Sequence, residues 1–567
     1  MTFIADDAED NLFLQETEEL TGIVNQKYPV FNVNKIYLDA YPLINTPAGQ
    51  RFPDVNKAIN KAVSDGSLII NYVGHGGDDG LATEKVVTVA DIQSWNNADK
   101  LPVFLTATCE FSQFDNPERY SAGEMVLNQS NGGAIALYTS TRTSIAATNS
   151  QLDTCFFRNL IAPDGQPPLT MGDLIKISKN RNYNNAFIRN FVLLGDPAQN
   201  ITFPKNRIVT TEINHHPAGD TPDTTRGLSI VTVKGEVQDV SGSRLGNFNG
   251  NLTVKIFDKP VTERTLGNQT GINGSYPEDF LLQNSLLSYD KVSVSKGGFE
   301  FSFVVPKDIA LQYGQGKISY YASDSTTDAN GYFNNIIIGG NDPDINPVNS
   351  GPDIHLYMND TKFISGGRTS SDPVLLAFLK DTNGINATNL GIGHEILALL
   401  DDDAAHPIIL NDFYQPDMNS YQSGTVTYPM TGLAVGRHKL TLTAWDNYDN
   451  PSHADISFFV FDQPLLSVGQ VINYPNPFSD YTYFRFIPLQ NAGALDIQIQ
   501  IFSSTGQVIK TIENIITEYG NDPIDIKWDG RDENGNKRGS GLYLYKLMVK
   551  GENGTFTQTS QKMVILK

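Results

Sequence analysis

The sequence predicts a multidomain protein: one α/β domain followed by β-sandwich domains. Three observations carry this. Up to about residue 205, short apolar runs alternate with helical stretches. After Pro204, segments of alternating polarity dominate, separated by Gly, Asn, Asp and Pro clusters. At 567 residues the chain also exceeds what one hydrophobic core supports. Alternating β and α units of this length imply a mostly parallel sheet covered on both faces, and the later pattern implies antiparallel sandwiches.

Thr2 to Ala5 reads as a strand, with the acids Asp6 and Asp7 just beyond it. The first residues lack the basic start, apolar core and cleavage site of a signal peptide, so the chain is expected to begin inside a fold that continues upstream. Asp54 is expected to cap a helix running to Ser64, with Gly66 supplying the left-handed residue that ends it. A buried strand follows, Leu68 to Val73, closing on Gly74-His75-Gly76-Gly77. Thr88 caps a short helix before a second buried strand, Val103 to Thr108, which closes on Cys109. Ser121 opens the next helix, Gly132-Gly133 ends it, and Ala134 to Tyr138 forms another strand. Helices near Gln151 to Leu160 and Met171 to Tyr183 precede Phe191 to Pro197. Beyond these lie the alternating segments Leu228 to Val237, Leu252 to Phe257, Phe299 to Val305 and Ile318 to Ala322. Gly339 to Pro352 marks a boundary, and Ser504-Thr505-Gly506-Gln507 signals a hairpin. The expected domains are 1–205, 206–350, 351–465 and 466–567.

A formal net charge of −22 offers no basic footprint for nucleic acid and disfavours anionic membrane surfaces. No run approaches the roughly 18 apolar residues of a bilayer span. Cys109 and Cys155 are the only cysteines, so no disulfide framework holds the fold. Scarce thiols and strands rich in Asn, Asp, Thr and Tyr are compatible with a bacterial surface.

Two neighbouring parallel strands ending at His75 and Cys109 would deliver an imidazole and a thiol to one rim of one sheet, where open α/β sheets place their chemistry. Such a pair is the minimal machinery of a cysteine nucleophile. His75 is the only histidine before His215, so this region offers one imidazole base. Glycines 74, 76 and 77 would let the backbone turn sharply and approach a substrate. The amides of Gly76 and Cys109 could face a developing oxyanion. Asp6 or Asp7 is the best placed acid to orient the ring, whereas Glu110 would raise the thiol pKa. The competing reading makes His75 a loop residue and Cys109 a small buried hydrophobe. That description suits Cys155, on a helical face with Leu152 and Phe156.

Asn71-Tyr72-Val73-Gly74-His75-Gly76-Gly77, Thr106-Ala107-Thr108-Cys109, the Gly132 to Leu137 stretch and Leu194-Gly195-Asp196-Pro197-Ala198 resemble the gingipain-type cysteine peptidases. The resemblance spans residues 1 to about 205 and implies the caspase–hemoglobinase fold, with His75 as base and Cys109 as the nucleophile of a thioester acyl-enzyme. The family usually carries another α/β subdomain upstream. Tyr474-Pro475-Asn476-Pro477-Phe478, Ile501 to Ile509 and Gly541 to Leu547 resemble a type IX secretion sorting domain. The combination resembles the sortases of that system. It implies a surface-located, outer-membrane-associated enzyme that cuts sorting domains from exported cargo. The cargo would then pass to an amine of anionic lipopolysaccharide, alongside other type IX components. Thr139 to Asn149 is a polar stretch suited to line the specificity pocket, or simply a surface loop.

No cofactor is required by this chemistry. Asp529 to Asn536 looks like a calcium loop but has Ser540 where the bidentate Glu belongs, so a polar hairpin turn is expected. Asp401-Asp402-Asp403 and Asp446 to Asn450 are expected to be loops, and structural calcium stays compatible with such acidic turns. Two other classes stay open: a non-catalytic scaffold of a secretion complex, and a general secreted gingipain-like protease.

Overall fold

The chain was analysed as a computed structural model, which describes residues 1–162, 166–182, 184–219, 223–342, 350–388, 393–461, 468–488, 494–503, 506–517, 523–551 and 556–566. The α/β region runs β1 (Thr2–Ala5), α1 (Leu12–Lys27), β2 (Asn34–Tyr37), the hairpin β3 (Ile44–Thr46) and β4 (Gly49–Arg51), then α2 (Pro53–Asp65) and β5 (Ile69–Val73). Three short strands follow, β6 (Gly76–Gly77), β7 (Gly80–Leu81) and β8 (Val87–Thr88), and then α3 (Val89–Ser94) and β9 (Val103–Ala107). The region closes with α4 (Ala122–Asn128), β10 (Ala136–Ser140), α5 (Ala146–Arg158), α6 (Met171–Arg181) and β11 (Phe191–Leu194).

The main sheet has the order β11-β10-β9-β5-β1-β2. Every pairing in it is parallel except β10 with β11, so the last strand departs from the all-parallel pattern. Successive residues of one strand enter opposite cores: Phe3 packs with α1, α5 and α6, while Ile4 packs with α2, α3 and α4. Leu105 and Phe104 divide the same way. A strand buried on both faces must read as a continuous apolar run, which is why β5 and β9 stand out in the sequence.

Local chemistry sets most helix starts. Thr88 and Ser121 each form a capping box, with Asp91 and Glu124. The predicted cap at Asp54 is corrected: Pro53 takes the first helical position of α2, behind Phe52 as N-cap, and Asp54 lies in the first turn. Gly66 does end that helix at φ 91°. Three boundaries also move. Helix α4 stops at Asn128 rather than at Gly132, β10 starts at Ala136, and α5 starts at Ala146.

Downstream, three further cores follow. Strands between Asn206 and Asn341 enclose Phe248, Val254, Ile256 and Phe303. Sheets of four and five strands between Asp353 and Val460 enclose Leu375, Leu442 and Phe458. Sheets of three and four strands between Val468 and Ile565 enclose Phe484, Ile499 and Trp528. Part of the predicted boundary, 343–349, and of the predicted hairpin, 504–505, lies outside the described residues. No helix is long and apolar enough to cross a membrane among the described residues.

Candidate active site

Strand register places the two reactive side chains. β5 and β9 pair in parallel with Val73 opposite Ala107, and the Gly74 amide extends the ladder to the Ala107 carbonyl at 3.3 Å. His75 and Cys109 each lie two residues beyond the carboxyl ends of these adjacent strands, at one edge of the sheet. Cys109 is half-buried, while Cys155 is buried on α5. The Cys109 sulfur lies against the backbone of Ser144, 3.3 Å from its nitrogen and 3.5 Å from its oxygen. Ser144 sits just before the first turn of α5. Thus part of the Thr139–Asn149 stretch does border the sulfur. Glu110, the next residue, is held at φ 56°, a left-handed turn that ends the strand abruptly behind the thiol. The Cys109 amide donates to no protein acceptor among the described residues.

His75 is half-exposed and packs edge-on against Phe13, with ring centroids 5.2 Å apart. The carboxylate on the ring is neither Asp6 nor Asp7. Glu9 Oε1 stands 3.5 Å from His75 Nε2. Asp6 acts on the backbone instead: its Oδ2 accepts from the His75 amide at 2.7 Å and from the Tyr72 hydroxyl at 3.2 Å, while Oδ1 accepts from the Asp7 amide. Asp7 is buried, with Oδ2 unpartnered among the described residues. Burial, and then the charges of Asp6 and Glu84, hold its carboxyl far above the ordinary carboxylate range.

Glu9 escaped the sequence reading because its position depends on backbone strain. Glu9, Asp10 and Asn11 take φ values of 60°, 52° and 64° in succession. Left-handed backbone at non-glycine residues costs on the order of 1 kcal/mol or more each and persists only where its surroundings enforce it. This run folds the chain back so that the third residue after Asp6 meets the ring.

The glycines work by close approach rather than by positive φ. A Cβ on Gly74 would fall 2.4 Å from the Asp6 Cβ and 2.6 Å from the Tyr72 hydroxyl. One on Gly76 would fall 2.6 Å from Thr108 Oγ1, a buried hydroxyl without a partner among the described residues. What comes near them is the protein's own second layer.

Two groups of acids and histidine could hold a cation by proximity among the described residues: Asp6, Asp7 and Glu84, and Asp308, His394 and Asp449. The calcium-like loop is not one of them. Asp532 Oδ1 accepts from the amides of Asn534 and Asn536, and Asp529 Oδ1 from that of Arg531, so it is a polar turn.

The profile of peptidase family C25 matches residues 1–202. Among curated proteins none matches the chain. Among solved structures, the dimeric latent PorU of Porphyromonas gingivalis is similar at 27% identity, with a TM-score of 0.33 over 77% of this chain and 40% of that one. The RgpB pro- and mature domains of Porphyromonas gingivalis are similar at 12% identity, with a TM-score of 0.30 over 58% of this chain and 68% of that one. The chain thus spans about 40% of the length of the PorU chain it resembles. The strand-end motifs, the parallel sheet with β5 beside β9 and the profile match coincide on the same residues, and it is residues 1–202 of this chain that match the profile of peptidase family C25.

Proposed function

We propose that the chain is a cysteine endopeptidase and transpeptidase acting as a PorU-type sortase of the type IX secretion system. The observation that supports the enzymatic part is that His75 and Cys109 follow the carboxyl ends of adjacent parallel strands in the region that matches the family C25 profile. The Cys109 sulfur attacks the scissile carbonyl carbon, and its proton passes to His75. A C–S bond forms, the oxyanion is met by the Cys109 amide and by that of Gly76, and His75 returns the proton to the departing amine as the C–N bond breaks. The thioester is then opened by water, giving a carboxylate, or by an amine, giving a new amide; either way a proton returns to the sulfur. Glu9 holds the ring, and Asp6 holds the loop that bears it. The reaction requires no metal or cofactor.

The sortase part rests on the motifs at Tyr474–Phe478 and Gly541–Leu547, which close a chain of one peptidase domain and three β cores. In this reading the chain works at the bacterial outer surface. It removes sorting domains from exported cargo and passes the cargo to an amine of anionic lipopolysaccharide. The test is a Cys109→Ala substitution in the native host, following by mass the sorting domain and surface modification of an exported cargo. Cargo that keeps its domain and lacks the modification supports the proposal. Cargo processed as in wild type overturns it in favour of a scaffold. Processing without transfer points to a general protease.

A further inference from the structure

We infer that residues 265–278, which belong to the first β core, form a strap that completes the active site by holding Glu9 against His75. The inference rests on the reading of His75 as the base for Cys109.

The strap joins the paired strands Val261–Arg264 and Asp279–Leu282 and leaves its own core to lie on the peptidase domain. One end is fixed by Asp39, a buried carboxylate. Its Oδ2 accepts from the Gly267 amide at 2.9 Å, and its Oδ1 from the Asn268 amide at 2.7 Å and the Ser275 hydroxyl at 3.1 Å. Gln269 reaches Glu84 at 3.1 Å. The other end meets the strained turn directly. Glu9 donates its amide to the Asn273 carbonyl at 2.8 Å, and Asp10 donates to that of Gly274 at 2.9 Å. Asn11, also buried, closes a two-way pair with the Tyr276 backbone, at 2.8 and 3.0 Å.

At this end of the strap the contacts reach all three consecutive left-handed residues. The strap supplies acceptors for the amides of Glu9 and Asp10, and Asn11 engages it through its side-chain amide. Without it, the turn has no partner that rewards left-handed backbone over the right-handed or extended alternatives. The Glu9 carboxylate would then leave the ring. Asp6, Asp7 and Glu84 also face the His75 loop, yet Asp6 is engaged by its backbone, burial disfavours the charged forms of Asp7 and Glu84, and the carboxylate at the ring is that of Glu9. Glu9 is a positioning residue here, and the strap acts through it.

The test uses the full chain and needs no peptide substrate. Cys109 alkylation by iodoacetamide is followed by mass from pH 5.5 to 9.5, with buried Cys155 as the internal control. Four variants are compared: Glu9→Gln, Glu9→Asp, Asn11→Ala, and a strap with 269–274 replaced by two glycines. The expected result is a rate at pH 7 lowered about tenfold by Glu9→Gln and by the shortened strap, with recovery above roughly pH 9, where a thiol ionises unaided. Glu9→Asp should retain part of the rate. Combining the short strap with Glu9→Gln should add nothing, because both remove one contact. A short-strap protein with the wild-type pH profile overturns the inference, as do additive losses. Should the short strap fail to fold, Asn11→Ala decides alone: a lowered rate at pH 7 supports the strap, and a lowered melting temperature with an unchanged profile overturns it. His75→Ala separates the two readings. If it leaves Cys109 alkylation unchanged, the dyad fails, whatever the strap does.

Discussion

Cys109 and His75 are distinguished less by their own chemistry than by what the residues beside them permit. Gly76 packs so closely on Thr108 that an added methyl has no room, and Thr108 can be moved only by shifting the residue next to the nucleophile. Gly76→Ala should therefore destabilise the protein by about 1–3 kcal/mol and slow Cys109 alkylation with no change at Cys155. Because the offending atom is the unpartnered Thr108 hydroxyl, adding Thr108→Ala should restore much of both losses; denaturant midpoints and labelling rates of the two variants decide it. Residue-scale legibility follows the same physics. His75 and Cys109 could be found from sequence because each ends a strand that is apolar on both faces, and parallel strands end together. Glu9 could not. Its contact depends on three left-handed residues whose acceptors, at Asn273 and Gly274, lie far along the chain in another core.

At the scale of elements, α5 is joined to β5 through a buried polar pair beneath the active-site rim. Asn71 donates to Asp153 at 2.6 Å, both side chains being inaccessible to solvent. Burial pushes the Asp153 carboxyl from 3.8 up to about 7, and Asn71 only partly offsets this. A carboxyl raised on folding binds its proton more tightly in the native state, so its contribution is fully present below the unfolded pKa. Stability should therefore fall as pH rises from about 4 towards about 7 and level off above that. The upper bound is about 4 kcal/mol. Asp153→Asn keeps the shape and one hydrogen bond but carries no charge, so urea midpoints compared at pH 5 and pH 8 should differ less in the variant than in the parent. Glu16 and Asp290, raised to about 7 by the same cause, leave a residual slope in both. The existence and order of elements were legible here, because two-sided burial and capping residues are local signals. Boundaries were not: Pro53 displaces the cap expected at Asp54, and α5 begins five residues before Gln151 because its buried face already includes Thr148 and Asn149.

At the scale of the whole molecule, the question is which of the four cores unfold together. The first two share more than a linker. Asp39, on the peptidase side, is 3% exposed and takes hydrogen bonds from two amides and one hydroxyl of the first β core, while its carbonyl accepts the Leu266 amide. Lys35 pairs with Glu18 and reaches the Leu281 carbonyl, and Lys317 reaches that of Phe31, so the seam continues past the strap. Hydrogen bonds to a charged group contribute about 1.5–3 kcal/mol, and deleting the acceptor leaves buried donors unpaired as well. By this argument the peptidase domain and the first β core melt as one cooperative unit. Calorimetry of the full chain should show their joint transition, and Asp39→Ala should split it or lower it by several degrees. Among the described residues Asp39 bonds to neither later core; Lys307–Asp449 and Asp308–His394 tie the first β core to the second, so it is the transition of the last core that should stay in place. A variant whose thermogram matches the parent would mean that the seam is held elsewhere and that the strap sits on the active site without binding the two cores into one.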